Sequence, residues 1–384
     1  MKKIKNHGFH VWVWRILRPL LAPWFKHKFN FTPEIYEGEG PYLILCNHNT
    51  DWDPLLLACA LPKQTYFVAS EHIFRWGLAG RLIRFLVDPI ARMKGATAGD
   101  TVLTVIRRLK AGCNVGIFAE GNRSFNGVTG PILPSTGKLA RSCGATVITY
   151  RFEGGYFSSP RWCGKYLRRG KMTGKIMHVL TWEQLRAMTV DEVNELIRAD
   201  LFEDAYATQR REMVPFRGKR LAEGLETVLC LCPKCGRLDT MGSRDDRLFC
   251  DCGFEVKYNV YGFIEGDDAP YDNITDWDNW QTEQLFARIP ETGVVFSDDD
   301  MTLTEVLQGH ESKALGRGAM TLYTDRLECC GMTFYLNRME GFALHGAQTV
   351  NMAYQGHDYE ISSDCVRCTR KYMQVIDRLK KQEE

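Results

Sequence analysis

His48 and Asp53 are the first pair in this chain able to do acid–base chemistry, five residues apart in Asn47-His48-Asn49-Thr50-Asp51-Trp52-Asp53-Pro54. On one continuous helix they would lie about 140° apart and could not meet. A loop leading from a strand into a helix can fold the imidazole back onto the carboxylate. Asp53 would then hold one ring nitrogen and leave the other to take a proton from a substrate hydroxyl, help worth about 10²–10⁴ in rate. No serine or cysteine nucleophile is needed if the substrate brings its own alcohol. A plainer reading stands beside this one. Asp53 before Pro54 fits a helix N-cap followed by a first-turn proline, and His48 fits a hydrogen-bonded loop histidine.

A second cluster lies at Phe118-Ala119-Glu120-Gly121-Asn122-Arg123-Ser124. Gly121 lets the backbone turn tightly, and Arg123 offers a planar fork suited to phosphate. Glu120 would orient Arg123 or a substrate hydroxyl. Arg92, after the apolar run Pro89-Ile90-Ala91, is a further cation. Alone, each arginine is a surface charge; together with an acid–base pair they point to a phosphate-bearing alcohol as substrate.

Four of the fourteen cysteines have metal spacing: Cys232-Pro-Lys-Cys235 and, after fourteen intervening residues, Cys250-Asp-Cys252. Two such knuckles resemble a zinc ribbon, in which four thiolates close a tetrahedral shell around Zn²⁺. A closed shell leaves no open position for substrate, so the expected zinc is structural and no catalytic metal is implied. Cys230 is a spare that could compete with Cys232. Cys365-Val-Arg-Cys368 has no matching second pair. With no export signal, this many thiols are expected to stay reduced, in the cytoplasm.

The elements that must position these residues alternate as in an α/β domain with a mostly parallel sheet. Strands are expected at 41–46, 65–69, 114–119 and 145–150. Helices are expected at 54–61, 74–86, 101–110, near 137–142 and over 190–211. The first strand runs directly into Asn47-His48 and the third into Glu120 to Arg123. Ligands bind beyond the carboxyl ends of strands in open α/β sheets, so both clusters are predicted to share one rim. Farther on, short alternating segments between 320 and 361 suggest an antiparallel meander, and 365–380 a closing helix. This order resembles a small pleckstrin-homology-like module.

Asn47-His48-x-x-x-x-Asp53 followed about seventy residues later by Phe118-x-Glu120-Gly121-x-Arg123-Ser124 resembles the glycerolipid acyltransferase family, typified by 1-acyl-sn-glycerol-3-phosphate acyltransferases. The resemblance covers roughly residues 10–215. It implies acyl transfer from acyl-CoA or acyl-carrier protein to the free hydroxyl of a lysophospholipid, giving phosphatidate. It implies His48 as base, Asp53 as its partner, and Arg92, Glu120, Gly121 and Arg123 around the glycerol phosphate. It also implies a seat on the cytoplasmic face of the membrane through an N-terminal hydrophobic segment. The chain departs from the family pattern at Ala119, Asn122 and Thr136, and over 145–149. The basic run Arg161, Lys165, Arg168, Arg169, Lys171 and Lys175 could supply positive charge to lipid or to coenzyme A phosphates.

Charge is distributed unevenly. Residues 1–220 carry 33 Lys/Arg against 18 Asp/Glu, and residues 221–384 carry 16 against 29, which together give the net +2. The first part is therefore suited to an anionic partner, and the acidic second part is not expected to bind nucleic acid. Phe9 to Phe25 is too short and too charged to span a membrane, but its tryptophans and surrounding cations fit a segment lying in a lipid interface or an amphipathic helix packed on the domain. Between Glu265 and Glu305, twelve acids meet one base, as expected for a solvated connector. The organisation read from sequence is an interfacial segment at 1–30, an acyltransferase-like domain at 31–220, a zinc ribbon at 225–262, an acidic connector at 263–317, and a meander-plus-helix module at 318–384 with a protein partner in view. The alternatives are an inactive acyltransferase-like binding module, a different lysolipid acceptor, and a metal-dependent phosphoesterase using His48, Asp51 and Asp53.

Overall fold

The computed structural model describes residues 4–70, 73, 77–92, 98–307 and 311–383. It divides into two compact units, Met1–Pro160 with Leu167–Arg217, and Arg161–Tyr166 with Gly218–Glu384.

The first unit is α/β. Its strands are β1 (Phe31–Pro33), β2 (Tyr42–Cys46), β3 (Thr65–Ser70), β4 (Ile90–Arg92), β5 (Asn114–Phe118), β6 (Thr146–Glu153) and β7 (Met172–Leu180). They form one sheet in the order β1-β7-β6-β2-β5-β3-β4. The five strands from β6 to β4 are parallel; β7 is antiparallel to β6 and carries β1 parallel to itself. The apolar run of β2 is buried on both faces, as a covered parallel sheet requires. Leu43 and Leu45 enter one core with Val105, Leu109 and Ile197, while Tyr42, Ile44 and Cys46 enter the other with Phe25, Leu56 and Phe152. Successive side chains on a strand point to opposite faces, so one short strand nucleates both cores. The sequence reading expects four strands. β1 and β4 are too short to leave a periodic signal, and β7 lies partly under the basic run.

The covering helices are α1 (His7–Phe29), α2 (Asp53–Ala60), α3 (Leu78–Val87), α4 (Ala98–Lys110), α5 (Ser135–Ser142), α6 (Gly155–Ser158), α7 (Trp182–Ala187), α8 (Val190–Leu201) and α9 (Ala205–Glu212). The start of the helix expected at 74–86 lies outside the described residues. The single helix expected over 190–211 is two, because Asp204 caps α9 by accepting from the Ala207 N–H at 2.9 Å. The basic run is largely engaged: Lys171 pairs with Glu212 and Lys175 with Glu153, both at 2.7 Å, and Arg169 donates to the His27 carbonyl.

The second unit opens with a four-stranded antiparallel sheet, β8 (Met241–Arg244), β9 (Arg247–Cys250), β10 (Glu255–Tyr258) and β11 (Ile264–Glu265), followed by α10 (Ile274–Ala287). Seven more strands follow: β12 (Val294–Val306), β13 (Ser312–Tyr323), β14 (Arg326–Cys329), β15 (Met332–Tyr335), β16 (Met339–His345), β17 (Thr349–Tyr354) and β18 (His357–Ser363). They form an antiparallel sheet in the order β15-β14-β13-β12-β18-β17-β16, and α11 (Arg370–Glu383) ends the chain. Arg161 belongs to this unit, donating to the carbonyls of Gly346 at 2.7 Å and Leu344 at 2.9 Å.

The acidic stretch is not a connector. It supplies α10 and the central strand β12, so the final sheet starts at Val294 rather than near 318. Within Asp298-Asp299-Asp300 only Asp298 is buried. It accepts from Lys371 Nζ at 2.8 Å, Tyr372 Oη at 2.7 Å and Arg367 Nη1 at 3.0 Å. Lys371, fully buried on α11, also pairs with Asp239. Removing the ammonium would take from buried Asp298 the nearer of its two cations and leave it beside Asp239, whose side chain is about a third exposed. Lys371→Ala is therefore expected to cost about 3–5 kcal/mol, read from the urea unfolding of the full chain; a change below about 1 kcal/mol would show that the network is hydrated.

Candidate active site

β2 and β5 are paired neighbours, with Cys46 opposite Phe118. The chain leaves both strands at the same edge, so Asn47-His48 and Ala119-Glu120 emerge side by side at the carboxyl rim. The shared rim anticipated from sequence is present.

His48 Nδ1 lies 2.8 Å from Asp53 Oδ2. Asp53 is fully buried, and about a fifth of the histidine side chain is exposed. The carboxylate also accepts from the N–H groups of Asn49 at 2.7 Å and Thr50 at 2.9 Å, and from Thr50 Oγ1 at 2.6 Å. This corrects the N-cap reading. Trp52 is the N-cap and makes no side-chain cap bond; Asp53 is the first helical residue, and its carboxylate turns back into the loop. Since the carboxylate only accepts, Nδ1 is the donor, so in the neutral ring the lone pair is at Nε2. The ring stacks on Phe118, with centroids 4.6 Å apart and planes 28° apart.

Glu120 does not orient Arg123. Its oxygens accept from the backbone N–H of His48 at 2.5 Å and of Gly130 at 2.6 Å, tying the two rim loops together. Arg123, largely buried, pairs through Nε with Asp51 at 3.1 Å, and among the described residues His48, Asp51 and Asp53 do not form a metal-holding group. Arg92 is exposed, with its guanidinium over Gly121: a Cβ there would lie 2.7 Å from Arg92 Nη1, and φ of +71° also favours glycine. The rim thus gathers His48, Asp53, Glu120, Gly121, Arg123 and Arg92.

Glu203 is the residue that sequence reasoning missed. It sits at the break between α8 and α9 and accepts from Asn49 Nδ2 at 2.6 Å, Asn47 Nδ2 at 3.3 Å and the Gly154 N–H at 3.1 Å. The Asp204 cap was the one local signal of that break.

In the second unit, the Sγ atoms of Cys232, Cys235, Cys250 and Cys252 all lie within 4.8 Å of one another. Cys232 and Cys252 are 3.7 Å apart, and Cys235 and Cys250 are 3.8 Å apart. Four sulfurs at about 2.3 Å around a tetrahedral ion stand about 3.8 Å apart, so this donor set fits Zn²⁺. Cys230 is no competitor. It is buried with its N–H donating to Gln281 Oε1, and Cys368 rather than the cluster is its thiol neighbour.

Residues 27–153 match the family model for Acyltransferase, a third of the chain and the part that holds all six rim residues. Among solved structures, the chain is similar to the 1-acyl-sn-glycerophosphate (LPA) acyltransferase PlsC from Thermotoga maritima, at 20% identity and a TM-score of 0.39 over 50% of this chain and 86% of that one. No curated protein matches.

Burial pushes the carboxyls of Glu120 and Glu203 up to about 8, against the amides of Gly130 and His48 in one case and Asn49 and Gly154 in the other. A carboxyl whose folded pKa exceeds its unfolded value takes up a proton on folding. Its contribution to stability is full below about 4.5 and is lost as the pH rises through about 8. The thermal midpoint is expected to fall between about pH 5 and pH 9, and Glu120→Gln to flatten the fall. An equal slope in the variant would count against burial as the cause.

Proposed function

We propose that the chain is an O-acyltransferase that moves a fatty acyl group from acyl-CoA or acyl-carrier protein to the free hydroxyl of 1-acyl-glycerol-3-phosphate. The observation that carries this reading is the His48–Asp53 dyad, whose Nε2 has no hydrogen-bond partner among the described residues, on the same rim as Arg123 and Arg92. The Acyltransferase match over residues 27–153 supports the reaction class. In this reading the acceptor hydroxyl gives its proton to Nε2 and its oxygen attacks the thioester carbonyl. Asp53 stabilises the imidazolium that forms. The carbon–sulfur bond then breaks, and the imidazolium returns the proton to the departing sulfur. Arg123 and Arg92 hold the phosphate, which must displace Asp51 from Arg123.

A peripheral seat on an anionic membrane suits such a substrate. Among the described residues no helix is long and apolar enough to cross a membrane. α1 packs through Val13, Ala22, Phe25 and Phe29 yet exposes Trp12, Leu20 and Trp24, and α3 exposes Leu78, Leu82 and Phe85. Phe9 packs on Phe85 at 4.9 Å, joining the two apolar surfaces. This supports insertion into a lipid interface. The four-cysteine cluster would hold a structural Zn²⁺, fixing the β8–β9 hairpin without taking part in the transfer.

His48→Ala is expected to lower thiol release from acyl-CoA about 10²–10⁴-fold with the fold intact. Arg123→Ala should instead raise KM for the phosphate-bearing acceptor about 10–100-fold. Mass spectrometry of the products from a lysolipid panel identifies the acceptor, and near-normal transfer by His48→Ala would end the proposal. For the metal, elemental analysis of protein purified without chelator should find about one zinc per chain and Cys252→Ser should lose it; zinc-free, fully stable protein would refute the site.

A further inference from the structure

We propose that Glu203 is a positioning residue, which holds His48 in place by gripping the residues on both sides of it. Only the kinetic half of its test rests on the acyl-transfer reading.

Asn47 and Asn49 flank the histidine, and both amides donate to Glu203 Oε2 while Oε1 accepts from Gly154. All three side chains are buried, at 0% exposure for Asn47, 2% for Asn49 and 4% for Glu203. Asn47 also closes onto the backbone of Phe152, accepting its N–H at 2.8 Å and donating to its carbonyl at 2.9 Å. The loop is thus fixed just before His48 by β6 and Glu203, and just after it by Glu203 at 2.6 Å with a longer bond of 3.5 Å from Asn49 to the Phe152 carbonyl.

The main chain of Glu203 supplies a second route. Its N–H donates to Thr129 Oγ1 at 2.8 Å, and its carbonyl accepts from the Thr129 N–H at 2.9 Å. The next residue, Gly130, donates to Glu120, which accepts the His48 N–H. Asp53 and Phe118 set the angle of the imidazole; Glu203 sets where its backbone stands. A buried acceptor facing three donors has no surrogate in water, so loss of the side chain frees the loop.

The test uses the full chain. Glu203→Met keeps the length and removes both oxygens, whereas Glu203→Gln keeps one oxygen for the two asparagine amides. Thiol release is measured first for wild type and His48→Ala. Glu203→Met is expected to lower kcat about 10–100-fold, because displacement of about 1 Å is enough for such a loss. KM for both substrates should stay within roughly threefold, since neither is touched. Glu203→Gln should recover most of the loss. In protein labelled at the histidine rings, the NMR signal absent from His48→Ala should shift in Glu203→Met while the other histidine signals hold, which general unfolding would not produce. Retention of kcat within about twofold, or an unmoved His48 signal, overturns the proposal. If Glu203→Met does not fold, Asn49→Ala breaks the same bond from the other end and is read in the same way. A wild type without thiol release would defeat the acyl-transfer reading, while the ring signal would still decide the clamp.

Discussion

One buried carboxylate organises the rim. Asp53 takes three hydrogen bonds from the loop that precedes it and a fourth from His48. An ionised group out of water must be matched by donors, and here the donors are the loop's own amides and hydroxyl. The loop therefore wraps the carboxylate, and the imidazole is held at Nδ1. A carboxylate capping its own helix would have spent those oxygens forward, on α2, and left the histidine unaligned.

The same logic recurs at larger scale. Glu120 joins the loop after β2 to the loop after β5, and Glu203 joins the loop after β2 to the strand end of β6 and to the turn at Thr129. Three acids in this region thus spend their acceptors mainly on the chain itself, and the guanidinium groups of Arg123 and Arg92 supply the positive side. Buried acceptors that hold the loops, with two guanidinium groups beside them, are the arrangement on which the acyl-transfer proposal rests.

The second unit uses buried charge differently. Asp298, Asp239 and Lys371 join β12, the segment before β8 and α11, with Arg367 and Tyr372 adding donors. An acidic run that looks solvated by composition thus contains one residue at the centre of a packed network, since composition counts charges but does not see which one the pleat of β12 turns inward.

The sequence by itself determined the chemistry available and its rough location. The order of His48, Asp53, Glu120 and Arg123, the buried strands that precede them and the knuckle spacing of four cysteines are local properties, written in residue type and short-range periodicity. Tertiary structure alone decided the partners. Asp53 turns back rather than forward, Glu120 binds amides rather than Arg123, and Glu203 reaches Asn49 from 154 positions away. Such contacts depend on which strands are neighbours and in what register, and strands as short as β1 and β4 carry no periodic signal to announce it. Periodicity reports whether a side chain is buried; only the assembled sheet settles what it meets there.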